Sequence, residues 1–202
     1  KIGEEKPEDM GIGYGLRRLL AERARSAREA VEIAGALIEE FGYTSGRSYQ
    51  FCDKNEAWVF QIPTGRRYVA KRIPDDHVYM IPNNYTIHEV DFADTEHKNC
   101  YFSKDLVEYA MKNGWYQPAV PGDYSDFDFA RAYQDGPDKV HNLIRARQTW
   151  PILLGERPEE WRPFSRKAPR KYTVAELRRL LSSHFEGTED EVLLETPLSG
   201  TL

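Results

Sequence analysis

The chain has 202 residues, 40% hydrophobic and 30% charged, with a formal net charge of −5. That balance supports a folded core and excludes wholesale disorder, and the acidic excess argues against a nucleic-acid binder. No apolar run is long enough to span a membrane, no secretory leader is recognised, and two cysteines, Cys52 and Cys100, make no disulfide framework.

Because the chain opens on Lys1 rather than Met, its true start is expected upstream, and its compartment stays open, with the cytoplasm favoured. Residues 1–10 read as a charged loop or frayed end. Gly11-Ile12-Gly13-Tyr14-Gly15 has the glycines of a phosphate loop, but no strand precedes it and the dinucleotide-binding spacing is absent. A short helix is expected over 16–23. Ser26 and Glu29 make a capping-box pattern. It opens a helix whose apolar residues Ala27, Ala30, Val31, Ala34, Leu37, Ile38 and Phe41 share one stripe until Gly42 stops it. The small residues of that stripe allow close approach to a sheet.

The sheet is expected directly after it. Runs 48–53, 56–62, 67–73 and 78–82 are rich in aromatic and β-branched residues and are separated by Asp53-Lys54-Asn55, Pro63-Thr64-Gly65 and Pro74-Asp75-Asp76. They read as a four-stranded antiparallel meander. In the second run, Trp58, Phe60 and Ile62 alternate with Ala57, Val59 and Gln61, so this strand should be covered on both faces. The fourth run ends in Pro82-Asn83-Asn84-Tyr85. Side-chain amides at a strand mouth can stabilise a developing oxyanion; asparagine also suits a turn, because it tolerates left-handed backbone. Both readings stay open on residue type alone.

After 86–91, a polar loop leads to Cys100. Ser103 is read as the cap of a helix through Met111 that ends at Asn113-Gly114. A Pro/Gly loop over 115–125 precedes short helices at 127–133 and 138–149. Residues 150–171 read as a long irregular connector, with the basic stretch 162–171 solvated. Thr173 and Glu176 form a second capping box, opening a helix over 174–185 that Gly187 ends. An apolar Val192-Leu193-Leu194 follows; no closing element and no internal repeat are evident, as if this were the middle of something longer.

Few residues signal chemistry by themselves. No Gly-x-Ser-x-Gly elbow occurs. His88, Asp91, Asp94 and His97 are close in sequence and could be drawn as a metal site, but the spacing matches no strong ligand motif and a plain polar surface loop is the favoured reading. Cys52, inside a strand, is expected to be a buried inert thiol; Cys100, in a loop, could be exposed.

The order of segments resembles peptidase family C69. The resemblance rests on Ser26-Ala27-Arg28-Glu29-Ala30-Val31 with Ile38-Glu39-Glu40-Phe41-Gly42, on Asp53-Lys54-Asn55-Glu56-Ala57-Trp58, and on Val69-Ala70-Lys71-Arg72-Ile73-Pro74-Asp75-Asp76. Further on, it rests on Ile81-Pro82-Asn83-Asn84-Tyr85-Thr86-Ile87 with Val90-Asp91, on Asn113-Gly114-Trp115-Tyr116, on Phe129-Ala130-Arg131-Ala132-Tyr133 with Asp135-Gly136, and on His184-Phe185-Glu186-Gly187-Thr188. It covers nearly all of the chain from about residue 9.

The family is one of dipeptidases that are N-terminal-nucleophile (Ntn) cysteine hydrolases. The resemblance therefore implies an α+β fold, part of an αββα sandwich with an antiparallel sheet covered by helices, residues 1–202 forming one partial domain. It implies a dipeptide substrate, no cofactor and no metal. The N-terminal cysteine would act as nucleophile and its α-amine as general base, on a segment of the same protein or another chain. Asn83 falls where related thiol hydrolases place the oxyanion-hole amide, and Asn84 beside it would face the substrate. A helical Arg of the family maps near 140–147: Asn142 stands at the expected position and Arg145 one turn later, so Arg145 is the second catalytic candidate. The isolated chain should be inactive. A homo-oligomer is expected from the apolar surface a half-sandwich exposes. The leading rival reading is a non-catalytic binding or scaffold domain that keeps the fold without the nucleophile; a second is a metal-dependent hydrolase using His88 and His97.

Overall fold

The computed structural model describes residue 1 and residues 11–136, 140–155 and 164–191. Expectations for 2–10, for the helix start at 138, for part of the connector (156–163) and for 192–202 lie outside the described residues. The chain divides into two compact units: Lys1–Asp75 with Tyr85–Gly136, and Asp76–Asn84 with Pro137–Leu202.

The first unit is built on a four-stranded antiparallel sheet. Three strands come from the expected meander: β1 (Arg47–Cys52), β2 (Ala57–Ile62) and β3 (Val69–Ile73). Pairings such as Tyr49↔Phe60 and Phe60↔Ala70 put aromatic residues in register across it. The fourth strand is β5 (Cys100–Phe102), paired to β3 through Ala70↔Tyr101. The run expected to be fourth leaves this sheet: β4 (His77–Tyr79) pairs instead with β6 (Ser165–Lys167) in the second unit. The polar stretch before Cys100 hid β5, since three residues are too few to show a period.

Helices α1 (Gly15–Arg23) and α2 (Ala27–Phe41) cover one face of the sheet. Leu16, Leu20, Val31, Ala34 and Ile38 pack with Trp58, Phe60, Ile62, Tyr68 and Ala70. Close approach is achieved at Gly35, where a Cβ would meet the Tyr68 ring at 2.5 Å; that ring stacks on Phe60 with centroids 4.8 Å apart. Ser26 caps α2 by accepting from the Glu29 amide, but the Glu29 carboxylate returns to the Arg25 amide, so the box is formed one residue early. The glycine run at 11–15 serves packing: Gly11 bridges to Tyr43, and a Cβ there would lie 2.3 Å from the Gly42 carbonyl oxygen.

The other face is closed as well, and every residue from Trp58 to Ile62 is buried. Gln61 points from β2 to this side and bonds the chain at Thr86 and Ile87. Beyond that layer, α4 (Phe129–Tyr133) receives the Ile87 and His88 carbonyls at the Ala130 and Phe129 amides. Helix α3 (Leu106–Lys112) ends at Asn113 as expected, with Gly114 at φ +69°. Ser103 is not its cap: its hydroxyl accepts from the Tyr68 amide, three positions ahead of the helix. The fold is α+β, an antiparallel sheet with helices packed on it.

In the second unit, α5 (Val140–Leu154) continues past the expected end at Thr149, carrying Pro151 inside it. Ala146, Trp150 and Leu153 form its buried stripe, packed by Val78, Met80, Tyr172 and Leu180. Helix α6 (Val174–Leu181) has the full Thr173/Glu176 capping box and stops at Ser182, short of the expected 185. Its Val174 and Leu181 are exposed.

Candidate active site

β4 ends at Tyr79, so Asn83 sits not at a strand mouth but in a bend four residues beyond it. What fixes this bend is one side chain of α5. Asn142 accepts from the Asn83 amide at 3.0 Å and donates its Nδ2 to the Asn83 carbonyl at 3.0 Å. An asparagine amide offers one acceptor and one donor group in a plane, so it pairs with the N–H and C=O of one residue as a residue on a facing strand would; here the two contacts themselves decide which end is oxygen and which nitrogen. Asn142 is only 2% exposed. Its placement follows from helical spacing: residues 142, 146, 150 and 153 share one stripe, and the last three form the core that holds Val78 and Met80. The Asn83 side chain itself is exposed, and Asn84 is half-buried.

Arg145 lies one helical turn after Asn142 on α5, a spacing that makes the two neighbours on the helix surface. It is half-buried, and burial lowers its guanidinium below the ordinary value by disfavouring the cation. Arginine nonetheless stays charged. The helix thus carries a peptide clamp and a desolvated cation within one turn.

The chain that follows the bend belongs to the first unit and is anchored within it. The Tyr85 amide donates to Gln134 Oε1 at 3.0 Å and the Tyr85 hydroxyl to the Ile62 carbonyl at 2.9 Å. Gln61 Oε1 accepts from the Thr86 and Ile87 amides at 3.1 and 3.0 Å, while its Nε2 donates to Ser48 Oγ and Thr86 Oγ1 at 3.0 and 3.2 Å. All four hydrogen-bonding positions of this fully buried amide are occupied. Nothing in the strand pattern singled Gln61 out except its polarity in an otherwise apolar run.

The two cysteines exchange the roles expected of them. Cys52 is exposed at the end of β1, and Cys100 is 1% exposed in β5. Burial pushes the Cys100 thiol up to about 11, which leaves it protonated and unreactive at neutral pH. Cys52 is the last residue of a strand at the sheet edge, where the outward half of the alternation meets solvent.

The residues drawn as a metal cluster do not converge. His88 Nδ1 contacts the Asp128 carboxylate at 2.9 Å, whereas His97 Nδ1 contacts the Cys100 carbonyl at 3.0 Å and its ring stacks on Tyr101. Asp94 is occupied by the amides of Lys98, Asn99 and Cys100. Among the described residues, no three His, Cys, Asp or Glu side chains gather at one point. In the second unit, His77 Nδ1 lies 2.9 Å from Ser165 Oγ, a contact the sequence did not signal. The nearest carboxylate, Asp76, is 3.8 Å from His77 Nε2 and is paired with Lys167, so the three read as a cross-strand pair of β4 and β6 with a flanking ion pair.

The model of peptidase family C69 matches residues 8–197. The chain belongs to peptidase family C69. Among C69-like proteins, it is 30% identical over 207 aligned residues to a dipeptidase of Bifidobacterium longum (strain NCC 2705), covering 92% of this chain and 38% of that one. It is 32% identical over 197 residues to a probable dipeptidase B of Lactococcus lactis subsp. lactis (strain IL1403), covering 93% and 40%. Against a probable dipeptidase of Latilactobacillus sakei, the identity is 30% over 174 residues, covering 83% and 35%. The chain therefore spans little more than a third of the length of these C69 relatives. Among the described residues, no helix is long and apolar enough to cross a membrane.

Proposed function

We propose that this chain is the oxyanion-side portion of a dipeptidase. Its nucleophile is an N-terminal cysteine carried on sequence outside these 202 residues. The observation that supports this most directly is the bend at Asn83. The Asn83 N–H and C=O, which belong to the peptide groups before and after its Cα, are both held by Asn142, while the residue itself is exposed. A donor used to stabilise a transition state acts through preorganisation, so a braced backbone beneath an open amide suits that role. The dipeptidase names of the relatives supply the substrate class.

In the reaction, the α-amine of the cysteine takes the thiol proton and the thiolate attacks the dipeptide carbonyl carbon, forming the S–C bond. The carbonyl oxygen becomes an oxyanion and accepts from Asn83 Nδ2. Collapse expels the amine of the second residue, protonated by the α-ammonium group; water then hydrolyses the thioester. Arg145, one helical turn beyond Asn142, supplies positive charge. Neither internal cysteine has an α-amine to serve as its base, and Cys100 is buried as well.

The test is steady-state kinetics on the full-length parent protein. Asn83→Ala should lower kcat by about 100-fold or more with little change in KM, because the contact forms mainly in the transition state. A change confined to KM overturns the oxyanion assignment. N-terminal sequencing that finds no Cys, Ser or Thr, together with no dipeptide turnover, would leave the fold as a non-catalytic binding domain.

A further inference from the structure

The Asn142 side chain has no apolar reason to be where it is. It occupies the first turn of α5 on the stripe that Ala146, Trp150 and Leu153 continue as a hydrocarbon core, and it is 2% exposed. A buried amide on such a stripe is costly unless its hydrogen bonds are made. Asn142 makes them with one residue, 59 positions away in sequence, and uses both ends of its amide to do so. The residue it grips is the one candidate whose side chain would have to be aimed.

We infer that Asn142 is the positioning residue of the oxyanion hole: it fixes the two peptide groups that flank the Asn83 Cα, and through them the direction of the Asn83 amide, without touching substrate. This rests on the proposed role of Asn83. The physical reason for such a brace is the shape of the bend. Met80 to Asn84 lie outside any strand or helix, so no ladder of backbone bonds holds them. Val78 and Met80 are packed on α5, but that packing stops at Met80, three residues before Asn83. Pairing the Asn83 N–H and C=O with one buried amide fixes both flanking peptide groups, as a neighbouring strand would. Because α5 also carries Arg145 one turn further on, the same helix sets the spacing of clamp and cation.

The experiment is a double-mutant cycle in the full-length parent, with kcat and KM measured separately. Asn142→Ala should lower kcat by about 10- to 100-fold, the scale expected when a reacting group is misplaced by around an ångström, with KM little changed. The decisive comparison is Asn83→Ala/Asn142→Ala against Asn83→Ala alone. If Asn142 works only through Asn83, removing it from a protein that already lacks the amide costs no further kcat. Two full losses that multiply would overturn the inference and leave the oxyanion role of Asn83 standing. An Asn83→Ala variant with unchanged kcat would remove that role and the inference with it. Should Asn142→Ala fail to fold, Asn142→Asp runs the same cycle, since it keeps the shape and the acceptor for the Asn83 N–H while losing the donor to the carbonyl. A drop in thermal stability with unchanged kcat in that variant marks Asn142 as merely structural and sinks the inference.

Discussion

At the scale of single residues, two buried amides organise the chain around the bend, and each has a measurable consequence. Gln61 is fully buried with four hydrogen bonds made. Gln61→Leu keeps much of the volume but strands the Thr86 and Ile87 amides in a dry layer, at about 1–3 kcal/mol each. Urea denaturation should therefore show a loss of roughly 3 kcal/mol, against about 1 kcal/mol for Ser48→Ala, which removes a single neutral partner. Equal losses for the two variants would mean that water reaches the 86–87 peptides. Neither amide was legible as an anchor in the sequence. A glutamine in a strand announces only that some partner exists, and Asn142 stands out in the sequence only as an amide where the family resemblance puts an arginine. The partner in each case is remote along the chain, 25 and 59 positions away, and residue type carries no information about it.

At the scale of elements, what the sequence made legible was what local physics decides. Strands β1 to β3 and helices α2 and α6 are each fixed by their own alternation or stripe and by a stop or cap beside them. The choice between β4 and β5 as the fourth strand was not local. Both are three-residue segments, and the decision rests on what else can pair with each: Ser165–Lys167 for one, β3 for the other. The join between α2 and the β1–β2 turn shows how a cap can also come from outside its own helix. Asp53 accepts from the Ala27 amide at the start of α2 at 2.8 Å, and from the Asn55 and Glu56 amides at 2.7 and 3.0 Å. These bonds, the one from Ala27 foremost, hold its carboxyl below the usual aspartate range. A carboxyl so depressed in the folded state adds stability that is complete above its unfolded value, about pH 4, and is lost as pH falls through the lower folded value. Melting temperature followed downward from pH 5 should decline, and Asp53→Asn, which cannot ionise, should decline less steeply. Parallel curves for the two proteins would remove Asp53 from the acid sensitivity of the fold.

At the scale of the whole molecule, the proposed mechanism needs a reactive thiol, and neither of the two cysteines present suits that role. The C69 relatives are longer than this chain by a factor that leaves some 60% of their length unmatched. Within the matched part, Cys100 is held in β5 with its thiol pushed up to about 11, so it cannot be the thiolate at neutral pH. Cys52 is open to reagents but stands at the far end of β1, after Phe51 on the sheet edge. In the parent protein, Cys52→Ser should leave dipeptide turnover unchanged and shift stability by no more than about 0.5 kcal/mol. Cys100→Ser should cost about 1–3 kcal/mol by burying a hydroxyl in place of a thiol, again without selective loss of kcat. Alkylation with iodoacetamide then separates the possibilities. If the double variant is still inactivated, the nucleophile is a third cysteine, and the proposed role of this chain is to supply the clamped amide of Asn83. If the double variant resists alkylation and still turns over, the reaction does not use a thiol, and the N-terminal-cysteine mechanism fails for this protein even though its place in the family stands.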